Sequence, residues 1–406
     1  MRVETASLTT ANLAQAPGVF RTAIKMAGRN WRAGALTFVL PDGQTVRLRG
    51  EGPGPEARLV VRDYRFVRRA LLSGDIGFAE GYMAGEWDTP DLAALLSACS
   101  ANFDNLRPLT CGNRLAQWLH GLSHALRRNS RRGSRRNIHA HYDLGNAFYA
   151  RWLDPTMTYS SARFEARDQR LADAQRNKYA VLARSIDLTA GHTVLEIGCG
   201  WGGFAEFAAK EIGARLTGVT ISRAQYDFAR KRLFEQGLAE RAEIKLIDYR
   251  DIEGRFDRVV SIEMFEAVGE RYWPAYFSKI REVLPPGGRA GLQIITIRDQ
   301  DFEDYRRRAD FIQKYIFPGG MLPSEERLSQ ETARAGLAFA SVSRFGQHYA
   351  DTLGVWLRNF DAAWDGIAPL GFDERFRRLW RFYLAYCEAG FRTGRTDVIQ
   401  LGLAAA

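Results

Sequence analysis

Between residues 190 and 300 the chain alternates short apolar runs with amphipathic ones. "HTVLEIG", "ARLTGVTI", "AEIKLID", "FDRVVSIE" and "RAGLQIITI" are rich in the β-branched residues of buried strands. Between them, "GGFAEFAAKEI", "SRAQYDFARKRLFEQ" and "RYWPAYFSKIREVL" place apolar residues at helical spacing. This alternation predicts an α/β fold with a doubly wound, parallel sheet. The N-terminal stretch reads differently. In "GALTFVLPDGQTVRLRG", Leu36, Phe38 and Leu40 alternate, Pro41-Asp42-Gly43 turns the chain, and Val46 and Leu48 alternate again, so a hairpin is expected. A helix follows in "VRDYRFVRRALLSG", then a glycine-rich turn in "GDIGFAEGYMAGEW", then a helix opened by Thr89 and Pro90. Residues 1–126 thus form a smaller mixed domain. Beyond residue 300, "TLGVWLRNFDAAW" and "FRRLWRFYLAYCEAGFR" predict aromatic-rich helices.

At the junction, "NRLAQWLHGLSHALRR" puts Leu115, Trp118, Leu119, Leu122 and Leu126 on one helical face. It runs into "RRNSRRGSRRN", where Arg127, Arg131 and Arg135 recur every fourth residue, as do Arg128, Arg132 and Arg136. An apolar face beside an arginine cluster suits an anionic membrane interface; a core helix followed by a solvated linker explains the pattern as well. Gly133 and the serines mark residues 127–137 as an interdomain linker, leaving 138–406 as the catalytic domain. The net charge of +10 points to an anionic partner, either nucleic acid or a phospholipid surface. No run approaches eighteen apolar residues, and "MRVETASLTT" lacks the apolar stretch of a signal peptide, so a cytoplasmic protein is expected. Cys99, Cys111, Cys199 and Cys387 are scattered without a CxxC pair, which argues against zinc and against a disulfide framework. No metal site is expected, and Cys199 reads as a small buried filler.

The chemistry concentrates in "LEIGCGWGG". Gly198 and Gly200 sit where a strand must turn sharply and let a ligand approach the backbone, and Gly202 and Gly203 open the next helix. The glycine pattern alone also suits a dinucleotide. Three details favour S-adenosylmethionine: Glu196 precedes the first glycine, the loop has no lysine for phosphate, and the next strand ends without the acid that grips a dinucleotide ribose. Thr220, Ser222 and Gln225 stand there instead. Asp248 and Tyr249, after a later strand, are placed for an adenine by hydrogen bonding and ring contact.

From about Asn137 to the C-terminus the sequence resembles the cyclopropane-fatty-acyl-phospholipid synthase family, which includes the mycolic acid cyclopropane synthases. "HYDLGNAFYARWLDPTMTYSSARF", "VLEIGCGWGG", "GVTISRAQ", "SIEMFEAVG", "YIFPGGMLPS", "HYADTLGVW" and "FRTGRTDV" occur in the family's order. The N-terminal domain resembles the family's phospholipid-acting members more loosely. The resemblance implies that Tyr159 and Ser160 contact S-adenosylmethionine from outside the loop, with Gly198, Gly200, Thr220, Gln225 and Tyr249. It assigns His141, Tyr142 and Asp143 to a segment closing over the site. It implies methyl transfer to a cis double bond, leaving a carbocation in a pocket that excludes water. Aromatic faces stabilise such a cation. A base must then remove a proton to close a ring. In the family a bicarbonate is placed for this, held by a cysteine, a glutamate, a histidine and a tyrosine.

Glu266 and Tyr349 match the glutamate and tyrosine, but Ser161 stands at the cysteine, Gln293 at the histidine, and Ala267 where histidine often follows the glutamate. Serine and glutamine hydrogen-bond an anion yet supply no positive charge, which weakens the case for bicarbonate. Two outcomes stay open: a cyclopropane, or a hydride shift and loss of another proton to give a methyl-branched or methylene fatty acid. The expected partners are unsaturated phospholipid and an anionic membrane surface at the inner face, with a homodimer left open. A nucleic-acid methyltransferase is the first rival, yet no proline-rich catalytic tetrapeptide, Pro-Cys nucleophile or RNA-binding module is present. A non-catalytic lipid-binding protein on the same scaffold is the second.

Overall fold

A computed structural model describes Leu13, residues 15–106 and residues 144–405. The amphipathic stretch from Leu115 to Leu126, the arginine run and His141, Tyr142 and Asp143 lie outside the described residues.

The N-terminal unit begins with helix α1 (Gly18–Asn30) and the strands β1 (Ala33–Val39), β2 (Thr45–Arg49) and β3 (Gly52–Val61). The expected hairpin forms with Phe38 opposite Val46. Helix α2 (Arg65–Met83), the short strand β4 (Trp87–Asp88) and helix α3 (Leu92–Ala101) follow, giving a sheet in the order β2-β1-β3-β4. The glycine-rich turn expected after Ser73 is confined to one residue: Gly74, with φ 62° and ψ −133°, a conformation that only glycine adopts cheaply, breaks the helix, and a second helical piece runs on to Met83. The next helix starts at Leu92 rather than at Thr89 and Pro90, because the Asp91 side chain accepts from the Ala94 amide and caps it.

The larger unit contains α4 (Leu171–Ser185), β5 (Thr193–Ile197), α5 (Gly203–Phe207, prolonged by a π-helical turn), β6 (Arg215–Thr220), α6 (Arg223–Glu235), β7 (Ala242–Leu246) and β8 (Arg258–Ile262). It continues with α7 (Trp273–Val283), β9 (Arg289–Ile297), α8 (Glu325–Arg334), β10 (Leu337–Arg344), α9 (Gly346–Ala362), α10 (Glu374–Arg392) and β11 (Thr396–Ala405). Its seven strands run β10-β11-β9-β8-β5-β6-β7. β5 to β9 pair in parallel and β11 is antiparallel to both neighbours, so the sheet is mostly rather than wholly parallel. The polar-apolar reading beyond residue 300 found the helices and missed β10 and β11. β11 is buried on both faces, and in its "VIQLGLAA" the alternation of Ile399, Leu401 and Leu403 with Gln400 and Gly402 is short and directly follows the long amphipathic pattern of α10.

Side chains alternate between two cores across this sheet. Leu195, Ile197 and Val259 share a core with α7 and with Ile399, Leu401 and Leu403 of β11, and Val194, Leu216 and Val260 share the other with α4, α5 and α6. A third core joins the N-terminal sheet to α9 and α10. There Arg378 donates to the Tyr82 and Trp87 carbonyls and sits 4.0 Å over the Tyr82 ring. The strand order reverses between β5 and β8, and the C-terminal ends on either side of such a reversal form the crevice where open α/β sheets take ligands.

Candidate active site

β5 delivers the chain into the glycine turn at that crevice. Gly198, Gly200 and Gly202 have φ of 80°, 53° and 82°, a region that costs other residues about 1–2 kcal/mol. Their surroundings differ. A Cβ at Gly198 would strike the Met264 side chain at 2.6 Å, and one at Gly202 would press on Ala229 at 3.1 Å. One at Gly200 would meet nothing within 4 Å. Gly200 therefore forms an open cradle, whereas Gly202 serves the packing of α5 on α6.

The cradle opens onto a cavity of about 680 Å³. Tyr159, Ser160, Glu196, Gly198, Gly200, Thr220, Gln225, Asp248 and Tyr249 all line it, as expected for cofactor contacts. Ser222 does not; its hydroxyl caps α6 by accepting from the Gln225 amide. The Thr220 hydroxyl donates to Gln225 Oε1 at 2.9 Å, fixing both side chains. Asp248 is paired with Arg250 at 2.6 Å and Tyr159 is joined to the Tyr383 hydroxyl at 2.7 Å. Glu196 Oε2 is buried without a hydrogen-bond partner, and burial pushes this carboxyl up to about 8, against the pull of Lys178. An open glycine, an orphaned carboxylate oxygen, hydroxyl and amide groups and the Tyr249 ring fit S-adenosylmethionine. Cys199 is buried with its side chain against Gly218, a filler.

Glu263, Glu266 and Tyr349 line the same cavity on the far side of the turn; Ser161 and Gln293 are fully buried behind Glu263. Glu263 follows β8, and its carboxylate collects three hydrogen bonds. Tyr349 Oη donates to Oε2 at 2.7 Å, Gln293 Nε2 to Oε1 at 2.7 Å, and the Ser161 amide to Oε1 at 2.8 Å. The Ser161 hydroxyl turns away, donating to the Ala162 carbonyl. Behind Gln293, Gln400 Nε2 donates both to Gln293 Oε1 at 3.0 Å and to the Lys178 carbonyl at 3.1 Å. Lys178, fully buried, donates to Ser160 Oγ at 2.6 Å. Burial pulls its ammonium down, opposed by Glu263, Asp154 and Glu196. Burial pushes Glu263 up, opposed by Lys178 and by its three donors.

Glu266 is differently placed. Its Oε1 accepts from the Ile295 amide at 2.6 Å, while Oε2 is buried with no partner. Burial, then the neighbouring Glu263 charge, push it up to about 8. The two carboxyls are thus held apart in character: Glu263 as an acceptor of three donors, Glu266 as a group favouring its neutral form.

Bicarbonate does not fit this arrangement. The one proton of Tyr349 and the amide proton of Ser161 go to Glu263, and the Gln293 NH₂ is shared between Glu263 and the Ser161 carbonyl. An anion added beside Glu263 would meet like charge rather than donors. Glu263, Lys178 and Gln400 carried no motif in the sequence reading. Glu263 lay within "SIEMFEAVG", three residues before the glutamate that the resemblance singled out.

The fold and the cradle define a methyltransferase that uses S-adenosylmethionine. The chain belongs to the mycolic acid cyclopropane synthetase family, which matches residues 129–401. It is 42% identical over 377 residues to tuberculostearic acid methyltransferase UfaA1 of Mycobacterium tuberculosis, covering 90% of this chain and 86% of the relative. It is 35% identical over 350 residues to the cyclopropane-fatty-acyl-phospholipid synthase of Escherichia coli, covering 86% and 87%. Mycolic acid cyclopropane synthase CmaA1, solved with SAH and CTAB, superposes with a TM-score of 0.62 at 31% identity, over 66% of this chain and 98% of that one. Lipid methylation and cyclopropane synthesis are therefore the general chemistry of its relatives. No helix among the described residues is long and apolar enough to cross a membrane.

Proposed function

We propose that this chain methylates the cis double bond of unsaturated acyl chains carried by membrane phospholipids, and that its product is methyl-branched. The observation that carries the reading is the continuity of the cavity. From the glycine cradle and the two carboxyls it extends past Tyr383 and Phe382 to Ile76, Val67, Leu59 and Phe38 of the N-terminal unit. An apolar channel of this kind suits a hydrocarbon chain, and residues 1–126 would hold the lipid while 138–406 perform the chemistry. The arginine run between them is suited to the anionic surface from which the lipid is drawn, a peripheral association at the inner face of the membrane.

When bound, S-adenosylmethionine would supply an electrophilic methyl carbon; the Gly198–Gly200 backbone and the Thr220, Gln225, Asp248 and Tyr249 side chains would hold it. The chain's own part is to hold the olefin, keep water out and manage the cation. Tyr349 stacked on Phe391 at 4.5 Å and the Tyr383 ring line the cavity and offer π faces for that charge. The methyl-branched outcome is favoured by the relative at 42% identity, which is named for methyl transfer rather than for ring formation. A cyclopropane is the second reading, favoured by the name of the Escherichia coli relative.

Purified protein given vesicles of unsaturated phospholipid and methyl-labelled S-adenosylmethionine should place label in the acyl chains. Mass spectrometry with double-bond cleavage should find one added carbon in a chain that still carries a double bond; a cyclopropane has the same mass and no double bond. Label confined to water-soluble products would defeat the proposal.

A further inference from the structure

We propose that Glu263 is the base of the reaction, a carboxylate built into the chain where the resemblance expects a separate bound anion. The inference rests on the function proposed above and names the group that completes it.

The donors that meet on Glu263 come from remote elements: Ser161 from the loop before α4, Gln293 from β9 and Tyr349 from α9. Their direction is fixed from behind. The Gln400 amide donates to Gln293 Oε1, so the Gln293 NH₂ points at Glu263 Oε1, which accepts there. Three donors and the nearby Lys178 favour the ionised carboxylate against the burial that opposes it. The backbone carries a cost for the placement: Glu263 has φ of 49°, where a glycine would be relaxed and another residue is strained. Such strain is retained where the surroundings over-determine it, commonly at a functional position. Glu263 also lines the cavity beside the aromatic rings, whereas its three donors hold it from the sides and back. Glu266, with one donor and an orphaned oxygen, lacks that support. Gln293, Gln400 and Tyr349 are positioning residues in this scheme.

The step balances without any further reagent. A C–H bond breaks in one of two places: on a carbon bonded to the cationic carbon, whose electron pair then forms a C=C bond, or on the transferred methyl one carbon further away, whose pair closes the ring with a C–C bond; either cancels the positive charge. The proton passes to a Glu263 oxygen, leaving a neutral acid that returns the proton to water as product departs. Nothing is oxidised or reduced.

Three variants, two binding measurements and one turnover comparison test this. In carbon-dioxide-depleted buffer the parent should turn over at its normal rate, and added bicarbonate should change nothing. Glu263→Gln should lower kcat by roughly 10²-fold or more, the usual worth of a positioned base, with unchanged S-adenosylmethionine affinity by calorimetry. Glu263→Gly, which also relieves the backbone, should recover turnover saturably with added bicarbonate and show ¹³C-bicarbonate binding by NMR that the parent lacks. Gln400→Leu should shift the ratio of proton-loss products while leaving cofactor affinity intact. A parent that needs bicarbonate, or a Glu263→Gln variant with parental kcat and products, would overturn the inference while leaving the methyl-transfer reading standing. Absence of any methyl transfer by the parent would instead sink that reading first.

Discussion

The two ends of the cavity are built in contrasting ways. At the cofactor end, one stretch, Gly198–Gly203, makes the cradle, and the residues that follow β6 and β7 complete it. At the base end, Ser161, Lys178, Glu263, Gln293, Tyr349 and Gln400 converge from six places between residues 161 and 400. The first end is local in sequence because the sheet's crossover geometry dictates where a βα turn must lie. The second is held together only by packing and hydrogen bonds between remote elements. Of the expected cofactor contacts only Tyr159 and Ser160 come from outside these turns and the elements that flank them, held by Tyr383 and Lys178. The base end can be rewired by a few exchanges, which is how a carboxylate can come to stand where an exogenous anion is expected.

The largest effect should come from breaking the local end. Gly200→Asp places a side chain in the one part of the turn that is open to the cavity and forces φ of 53° on a non-glycine residue. S-adenosylmethionine affinity should fall by roughly 100-fold or more, about 2.7 kcal/mol. Gly200→Ala, with the same backbone cost and a smaller intrusion, should lose much less. Calorimetric titration of both variants checks this, and equal affinities for parent and Gly200→Asp would remove the cradle assignment.

That contrast also explains how much was legible in the sequence. The alternation of apolar runs gave β5 to β9 with their helices, because a parallel strand buried on both faces and an amphipathic helix differ in period. The glycines and Glu196 announced the cofactor, since a sharp turn with backbone access needs those residues. β11 escaped because its short alternation, Ile399, Leu401 and Leu403 against Gln400 and Gly402, directly follows the long amphipathic pattern of α10, whereas the break expected after Ser73 is confined to the non-helical Gly74. Glu263 could not be read at all. Its meaning lies in three donors up to 102 residues away, and a lone glutamate after a strand says nothing of them. The one local signal was Ser161 and Gln293 standing where a cysteine and a histidine were expected, which marked the site as altered without saying what replaced them.

A smaller effect should follow at the opposite end of the channel. Ala27 on α1 is half-buried and lines the cavity far from the glycine turn. Ala27→Phe fills part of the apolar channel while leaving both polar ends untouched. If acyl chains thread through the N-terminal unit, kcat/KM for long chains should fall about tenfold, near 1.4 kcal/mol, with short chains spared. Competition between lipids of two chain lengths reads this directly. An equal loss for both lengths would show that the channel does not measure the chain.

The finest discrimination concerns the two carboxyls themselves, through stability rather than turnover. Glu266 is raised to about 8 by burial and by Glu263, from an ordinary value of 4.5. Between those values the folded chain keeps the proton and the unfolded chain releases it. Stability from this group is therefore complete at low pH and is lost as pH rises toward 8. Glu196 works in the same direction, also held near 8. Lys178, lowered by burial, works in the opposite direction at higher pH, because there the unfolded chain holds the extra proton. Comparing parent with Glu266→Gln isolates one group from the others. Gln supplies the same acceptor to the Ile295 amide and mimics the neutral acid. Its melting temperature should match the parent at pH 5 and exceed it progressively toward pH 8, by on the order of 1 kcal/mol of stability, since water and relaxation around the cavity reduce the ideal linkage. A constant offset across that range would mean that Glu266 titrates normally and that the two carboxyls are not held apart.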